Sequence, residues 1–152
     1  MKRNREQMPI AVVDIDGTIA KVGARAALLL SEPIDWDKFY ADEFDDEPIR
    51  SVCDMVMHLA RRYEIIFCTS RKERVRQKTQ LWILKHLGMT PDDYHLIMRP
   101  DGDERPDYIQ KIACFLDDTT EKERSRVEIV IDDSIEVALE WKRLGYTVLK
   151  AL

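Results

Sequence analysis

Short apolar runs alternate along this chain with longer stretches whose apolar residues recur every three or four positions. The first run, Ile10-Ala11-Val12-Val13, predicts a buried strand, and the chain breaks after it at Gly17. Ile49, Val52, Met55, Val56 and Leu59 keep helical spacing and predict a helix over 48–62 with a basic end at Arg61-Arg62. Residues 64–68 read as a second strand ending at Thr69-Ser70-Arg71. Residues 73–87 read as a second helix closed by Gly88 as its C-cap. A third strand is expected over 94–98, followed by a loop from Arg99 to Asp103 and a helix opened by Pro106. A fourth strand over 127–131 stops at Asp132-Asp133-Ser134, and a helix over 135–144 leads through Gly145 to a last strand over 146–149.

Strand and helix in regular alternation predict an α/β fold, a Rossmann-like three-layer sandwich with a central parallel sheet. Residues 20–47 break the rhythm. Ser31-Glu32-Pro33 interrupts them, Trp36, Phe39, Tyr40 and Phe44 stand among acids, and we read the segment as a small flap or cap insertion. Its aromatics can pack against the body or stack on a base. Its acidic cluster Asp45-Asp46-Glu47 reads as a solvated face. Residues 1–8 read as a flexible N-terminal tail and residues 9–152 as one domain.

At 152 residues, 45% apolar and 35% charged, the chain has an ordinary soluble balance with enough apolar content for a core. No apolar run approaches the roughly 20 residues that span a bilayer, and no apolar segment follows the basic start, so neither a membrane partner nor a secretory signal is expected. Cys53, Cys68 and Cys114 form no C-x-x-C pair and stand away from His58, His86 and His95. That spacing predicts reduced thiols and a cytoplasmic setting rather than disulfides or zinc. A net charge of −5 argues against general coating of nucleic acid and leaves room for a local basic groove.

In a parallel sheet, ligands bind beyond the carboxyl ends of the strands. The polar residues that follow these strands are Asp14 and Asp16, then Thr69 to Arg71, then Asp132 and Asp133. Two carboxylates at one strand end repel unless a cation lies between them, and a hard ion such as Mg²⁺ meets that need. A solvated Asp-Gly turn meets it as well. For a phosphate monoester, Asp14 is the candidate nucleophile and Asp16 the general acid and base. Asp132 and Asp133 complete the Mg²⁺ site with an Asp14 oxygen and a carbonyl near Asp16. Gly17 permits the turn, and the Thr18 hydroxyl serves a phosphate or the turn itself. Thr69 is expected to donate to a phosphoryl oxygen, and Arg71 to fork onto a phosphate. Lys111 is the cation expected near Asp14. Asp107, four residues earlier on the same helix face, is expected to hold that lysine or to fasten a neighbouring cation.

Asp14-x-Asp16-Gly17-Thr18, the strand-ending Thr69, Lys111 and Asp132-Asp133 resemble, in the usual order, the four motifs of the haloacid dehalogenase superfamily. The stretches around Arg25, Thr69-Ser70-Arg71, Gly102 to Lys111 and Ile131 to Gly145 are similar to the 3′-phosphatase domain of phage polynucleotide kinase, over about Pro9 to Leu149. The resemblance implies a Mg²⁺-dependent phosphomonoesterase with an aspartyl-phosphate intermediate, removing the 3′-phosphate from a nucleic-acid end; a phosphatase for free nucleotides or another small phosphorylated metabolite, and a non-catalytic binding subunit in nucleic-acid repair, are the alternatives. It implies catalytic Asp14, Asp16 and Lys111. It further implies substrate contacts from Gly17, Thr18, Arg25, Thr69, Ser70, Arg71 and Asp107, and metal contacts from Asp14, Asp16, Asp132 and Asp133. Ser70 stands where that family carries glycine. No G-x-x-x-x-G-K-[ST] loop occurs in the sequence, so kinase activity is not expected.

Overall fold

The first strand, β1 (Ile10–Val13), is buried at all four positions, as a strand covered on both faces must be. The structure, a computed structural model, describes residues 4–22, 33, 35–41 and 46–151. Within them β1, β2 (Glu64–Lys72), β3 (Tyr94–Arg99), β4 (Val127–Asp132) and β5 (Val148–Lys150) form one parallel sheet in the order β3-β2-β1-β4-β5. The chain runs outward from β1 to β3, returns across the sheet to β4, and runs outward again on the other side. Strand order therefore reverses between β1 and β4.

Side-chain alternation along β1 builds two cores. Ala11 and Val13 face one layer with Phe67, Val56, Trp82 and Ile83, contributed in part by helices α2 (Arg50–Leu59) and α3 (Arg76–Leu87). Ile10 and Val12 face the other with Cys114, Phe115, Val137 and Trp141, from α4 (Asp107–Asp118) and α6 (Ile135–Arg143). The expected three-layer α/β sandwich is thus the observed one. Two further helices, α1 (Trp36–Ala41) and α5 (Glu121–Ser125), are short. No helix among the described residues is long and apolar enough to cross a membrane.

Several boundaries differ from expectation for identifiable reasons. The strand expected to end at Cys68 continues to Lys72, because β2 bulges: Cys68 pairs with Ile97 and Lys72 with Arg99, so four steps on β2 match two on β3. Residues 73–75 form a 3-10 turn ahead of α3, and Gly88 caps that helix at φ 66°, donating its N–H to Leu84 O. Residue Arg99, expected in a loop, is the buried last residue of β3. Tyr146, expected in the last strand, precedes it and packs edge-on against Phe115. Helix α5 has no apolar period to betray it, although Thr120 and Glu123 form a capping box that marks its start.

Of the N-terminal stretch, Arg5–Gln7 form a 3-10 turn, and Arg126 Nη1 donates to the carbonyls of Arg5 and Met8. The described part of 20–47 holds α1 and, at its two ends, a bridge between Ala20 and Pro48. The three cysteines are buried thiols.

Phe115 and Trp141 meet at 4.8 Å in an edge-to-face pair beneath the sheet, both fully buried. Phe115→Ala is expected to cost about 3–5 kcal/mol of unfolding free energy in denaturant titrations. Leu81→Ala, on the exposed side of α3, is expected to change it by less than about 0.5 kcal/mol.

Candidate active site

The registers level β1 with its neighbours at Val13, which pairs with Phe67 on one side and Ile131 on the other. The next residues of β1 and β4 are therefore side by side. Asp14 N donates to Ile131 O at 2.9 Å, and the Asp14 and Asp132 carboxylates converge at the point where strand order reverses. Both are buried.

Lys111 joins them. Its ammonium donates to Asp14 Oδ1 at 2.8 Å and to Asp132 Oδ2 at 3.0 Å. The lysine is aimed by packing: Cys114 and Phe115, three and four residues on, bury the same face of α4 against the sheet. Burial alone would pull the lysine pKa down, but the two carboxylates carry it above its ordinary value, so the side chain stays charged. Burial pushes the Asp14 carboxyl the other way, up to about 7 against the pull of Lys111. Burial and the neighbouring Asp14 also raise Asp132.

The turn after β1 completes the cluster. Gly17 adopts φ +82°, and a Cβ there would lie 2.1 Å from Asp133 Oδ2, so glycine is required on both counts. Thr18 Oγ1 sits 3.1 Å from Asp14 Oδ2 and 3.4 Å from Asp133 Oδ1, bridging the first motif to the last. Asp14, Asp132 and Asp133 each present an oxygen within 4.8 Å of the others. Three carboxylates facing one ammonium leave an excess of negative charge, and hard oxygen donors at this spacing fit a divalent cation such as Mg²⁺.

Asp16 belongs to a second knot. Arg71 forks onto it, Nε to Oδ2 at 3.0 Å and Nη2 to Oδ1 at 2.8 Å. The same guanidinium reaches Asp46 Oδ2 at 3.2 Å and Thr79 Oγ1 at 3.2 Å, so it is spent on protein groups. Thr69 is buried, and its hydroxyl accepts the Arg71 N–H at 3.1 Å. The Ser70 hydroxyl is shielded from water with no hydrogen-bond partner among the described residues.

Asp107 does not hold Lys111. It lies at the exposed start of α4 and takes Arg99 Nη2, which is the neighbouring-cation role of the two expected for it. Arg25 lies outside the described residues. Asp46 and Thr79 were not legible as site residues. The acidic cluster around Asp46 reads as a solvated face, yet Asp46 is only 7% exposed because Arg71 neutralises it. Arg99 carried a usable signal, since it ends a strand on the same edge as the other polar residues.

The family described as Polynucleotide kinase PNKP phosphatase domain matches residues 8–151. A polynucleotide kinase/RNA ligase of Autographa californica nuclear polyhedrosis virus is 30% identical over 142 residues, 91% of this chain and 19% of that protein. One chain of the Pnkp1/Rnl/Hen1 RNA repair complex superposes with a TM-score of 0.76 at 25% identity, over 94% of this chain and 42% of the other. A haloacid dehalogenase-like hydrolase of Streptococcus pneumoniae, at 12% identity, shares the fold with a TM-score of 0.62 over 94% of this chain and 84% of its own. The chain spans less than half the length of the first two relatives. Within them it corresponds to one part, and by sequence and fold alike it belongs to the family of polynucleotide kinase PNKP phosphatase domains, built on the haloacid dehalogenase fold.

Proposed function

We propose that the chain is a Mg²⁺-dependent phosphomonoesterase that removes the 3′-phosphate from a nucleic-acid end through an aspartyl-phosphate. The observation that carries this reading is Asp14: a buried carboxylate at the strand-order reversal, tied by Lys111 to Asp132 with Asp133 alongside. Family membership supplies the phosphatase class.

A phosphomonoesterase has to offset the substrate's charge, attack phosphorus in line and protonate the departing oxygen. An Asp14 oxygen attacks phosphorus while the bond from phosphorus to the 3′-oxygen breaks. Asp16 donates its proton to that leaving oxygen, giving a 3′-hydroxyl. It then takes a proton from a water molecule that attacks the phosphorus of the acyl phosphate, which releases inorganic phosphate and restores Asp14. Arg71 positions Asp16 for both transfers by holding the carboxylate through two hydrogen bonds. Lys111 opposes negative charge at Asp14 throughout. The Thr69 hydroxyl accepts the Arg71 N–H and keeps its own proton to donate to a transferred phosphoryl oxygen in this reading. Mg²⁺, when bound, supplies positive charge that offsets the phosphate oxygens, and Asp14, Asp132 and Asp133 would hold it with support from the Asp16 turn.

Two outcomes check the reading. Single turnover of a 3′-phosphorylated oligonucleotide, quenched in acid, is expected to leave a phosphoryl group on the peptide that contains Asp14. Asp14→Asn is expected to abolish that adduct and lower steady-state phosphate release by at least about 10³-fold. Release that survives the substitution overturns Asp14 as nucleophile.

The charge balance also predicts a pH dependence of stability without Mg²⁺. Folded Asp14 keeps its proton up to about 7, whereas the unfolded chain releases it near the ordinary aspartate value of about 4. The folded state therefore binds more protons in that window, and stability falls as pH rises through it. The Tm of metal-free protein is expected to drop between about pH 4 and 7, to recover on adding Mg²⁺, and to lose most of this slope in Asp14→Asn. A slope identical in the variant contradicts the assignment.

A further inference from the structure

β3 is the outer strand of the sheet on the side away from β4, and among the described residues no strand pairs with its far side. Glu64 N donates to Pro9 O at 2.9 Å, which turns the backbone groups of Glu64 and Ile66 toward β1 and those of Ile65 and Phe67 toward β3. The register partners of Ile65 and Phe67 are Tyr94 and Leu96. In a parallel ladder those two residues direct their own N–H and C=O groups away from β2. Arg76 bears this out, since its Nη2 reaches Leu96 O at 3.1 Å.

A cleft of ≈ 470 Å³ runs beside this edge, lined in part by Arg76, Gln80, Tyr94, His95, Leu96 and Asp118. That volume is in the range of binding sites. Successive strand residues point to opposite faces, so a cleft touching Tyr94, His95 and Leu96 in a row faces the edge of the strand. Arg76 and Gln80 on α3 flank it from one layer, and Asp118 at the end of α4 flanks it from the other. The guanidinium is already forked by Glu73, which takes Nε and Nη2 at 2.8 Å each. Exposed carboxylates surround it: Asp118 across the strand, and Asp92 and Asp93 in the turn that leads into β3. Such a rim repels a polyanion and attracts cations. Tyr94 is 8% exposed, yet its hydroxyl has no hydrogen-bond partner among the described residues. A buried donor without an acceptor is costly, and an acceptor brought into the cleft would offset that cost.

We propose that this cleft binds an extended basic segment of a partner polypeptide, which adds to β3 as a sixth strand. The outward groups of Tyr94 and Leu96 bond its backbone. Its basic side chains meet Asp118 on one face, and an acceptor on the other face takes the Tyr94 hydroxyl. A second copy of this chain is excluded as the occupant, because pairing two β3 edges would set acid against acid. The cleft lies beside the first half of β3, not beyond the carboxyl ends where Asp14 and Asp132 meet, so the proposal stands apart from the phosphatase reading.

The probe is a capped hexapeptide of alternating lysine and threonine, added to the ¹⁵N-labelled full chain, with hydrogen exchange read at the Leu96 amide. At saturation that exchange is expected to slow about tenfold. Tyr94→Phe keeps the ring that packs edge-on against Phe67, and is expected to hold the Tm of the parent while weakening binding about threefold. Asp118→Lys is expected to weaken the lysine peptide about tenfold and to admit a peptide with glutamate in its place. The same lysine peptide N-methylated at alternate residues, on the groups that would face β3, is expected not to bind. Unchanged exchange at Leu96, variants that bind as tightly as the parent, or full binding by the N-methylated peptide each overturn the proposal. A single-stranded oligonucleotide that protects the same amide overturns it as well, and makes this edge a nucleic-acid contact.

Discussion

A buried ammonium bridging two buried carboxylates is the constraint on which the rest of this structure depends. Lys111 lies 4% exposed between Asp14 and Asp132, and neither acid could sit at that depth as an anion without it. The arrangement couples the fold to the site. The apolar face of α4 that buries Cys114 and Phe115 is the face that carries Lys111 inward, and the level ends of β1 and β4 bring the two acids to meet it. One lysine does not balance three acids. The surplus negative charge gives a divalent cation a place, and it accords with an Asp14 carboxyl that burial holds up at about 7 despite the lysine beside it.

A second buried cation works on the neighbouring acid. Arg71 clamps Asp16 through both oxygens and also neutralises Asp46, which lies just before α2 at the end of the inserted segment. Asp46 is anchored by its backbone too, since Trp82 Nε1 donates to Asp46 O at 2.9 Å from the core. The return of the insertion is therefore tied to the group read as general acid and base.

Much of this was legible in the sequence, because the strands are continuous apolar runs and polar residues collect at their carboxyl ends. Asp14, Asp132 and Asp133 required only those two rules to be placed together, whereas Lys111 was singled out by the family resemblance and by its spacing from Asp107, a residue that pairs with Arg99 instead. What stayed hidden depends on three-dimensional pairing. Asp46 sits in an acidic run that looks solvated, and only the arrival of Arg71 from a distant strand makes its burial tolerable. Arg71 looks like a phosphate fork until Asp16, Asp46 and Thr79 are seen to occupy it. The extension of β2 to Lys72 depends on a bulge, which has no hydrophobic signature. Helix α5 is too short and polar to show a period, though its Thr120/Glu123 box was readable.

The buried triad is tested most directly by a double-mutant cycle on metal-free protein, read as unfolding free energy. Lys111→Met leaves two carboxylates buried without compensation and is expected to destabilise by about 3–5 kcal/mol. Adding Asp132→Asn to that variant is expected to return at least about 1 kcal/mol, because one of the stranded charges is removed. Losses that simply add, or a Lys111→Met protein as stable as the parent, would contradict the account.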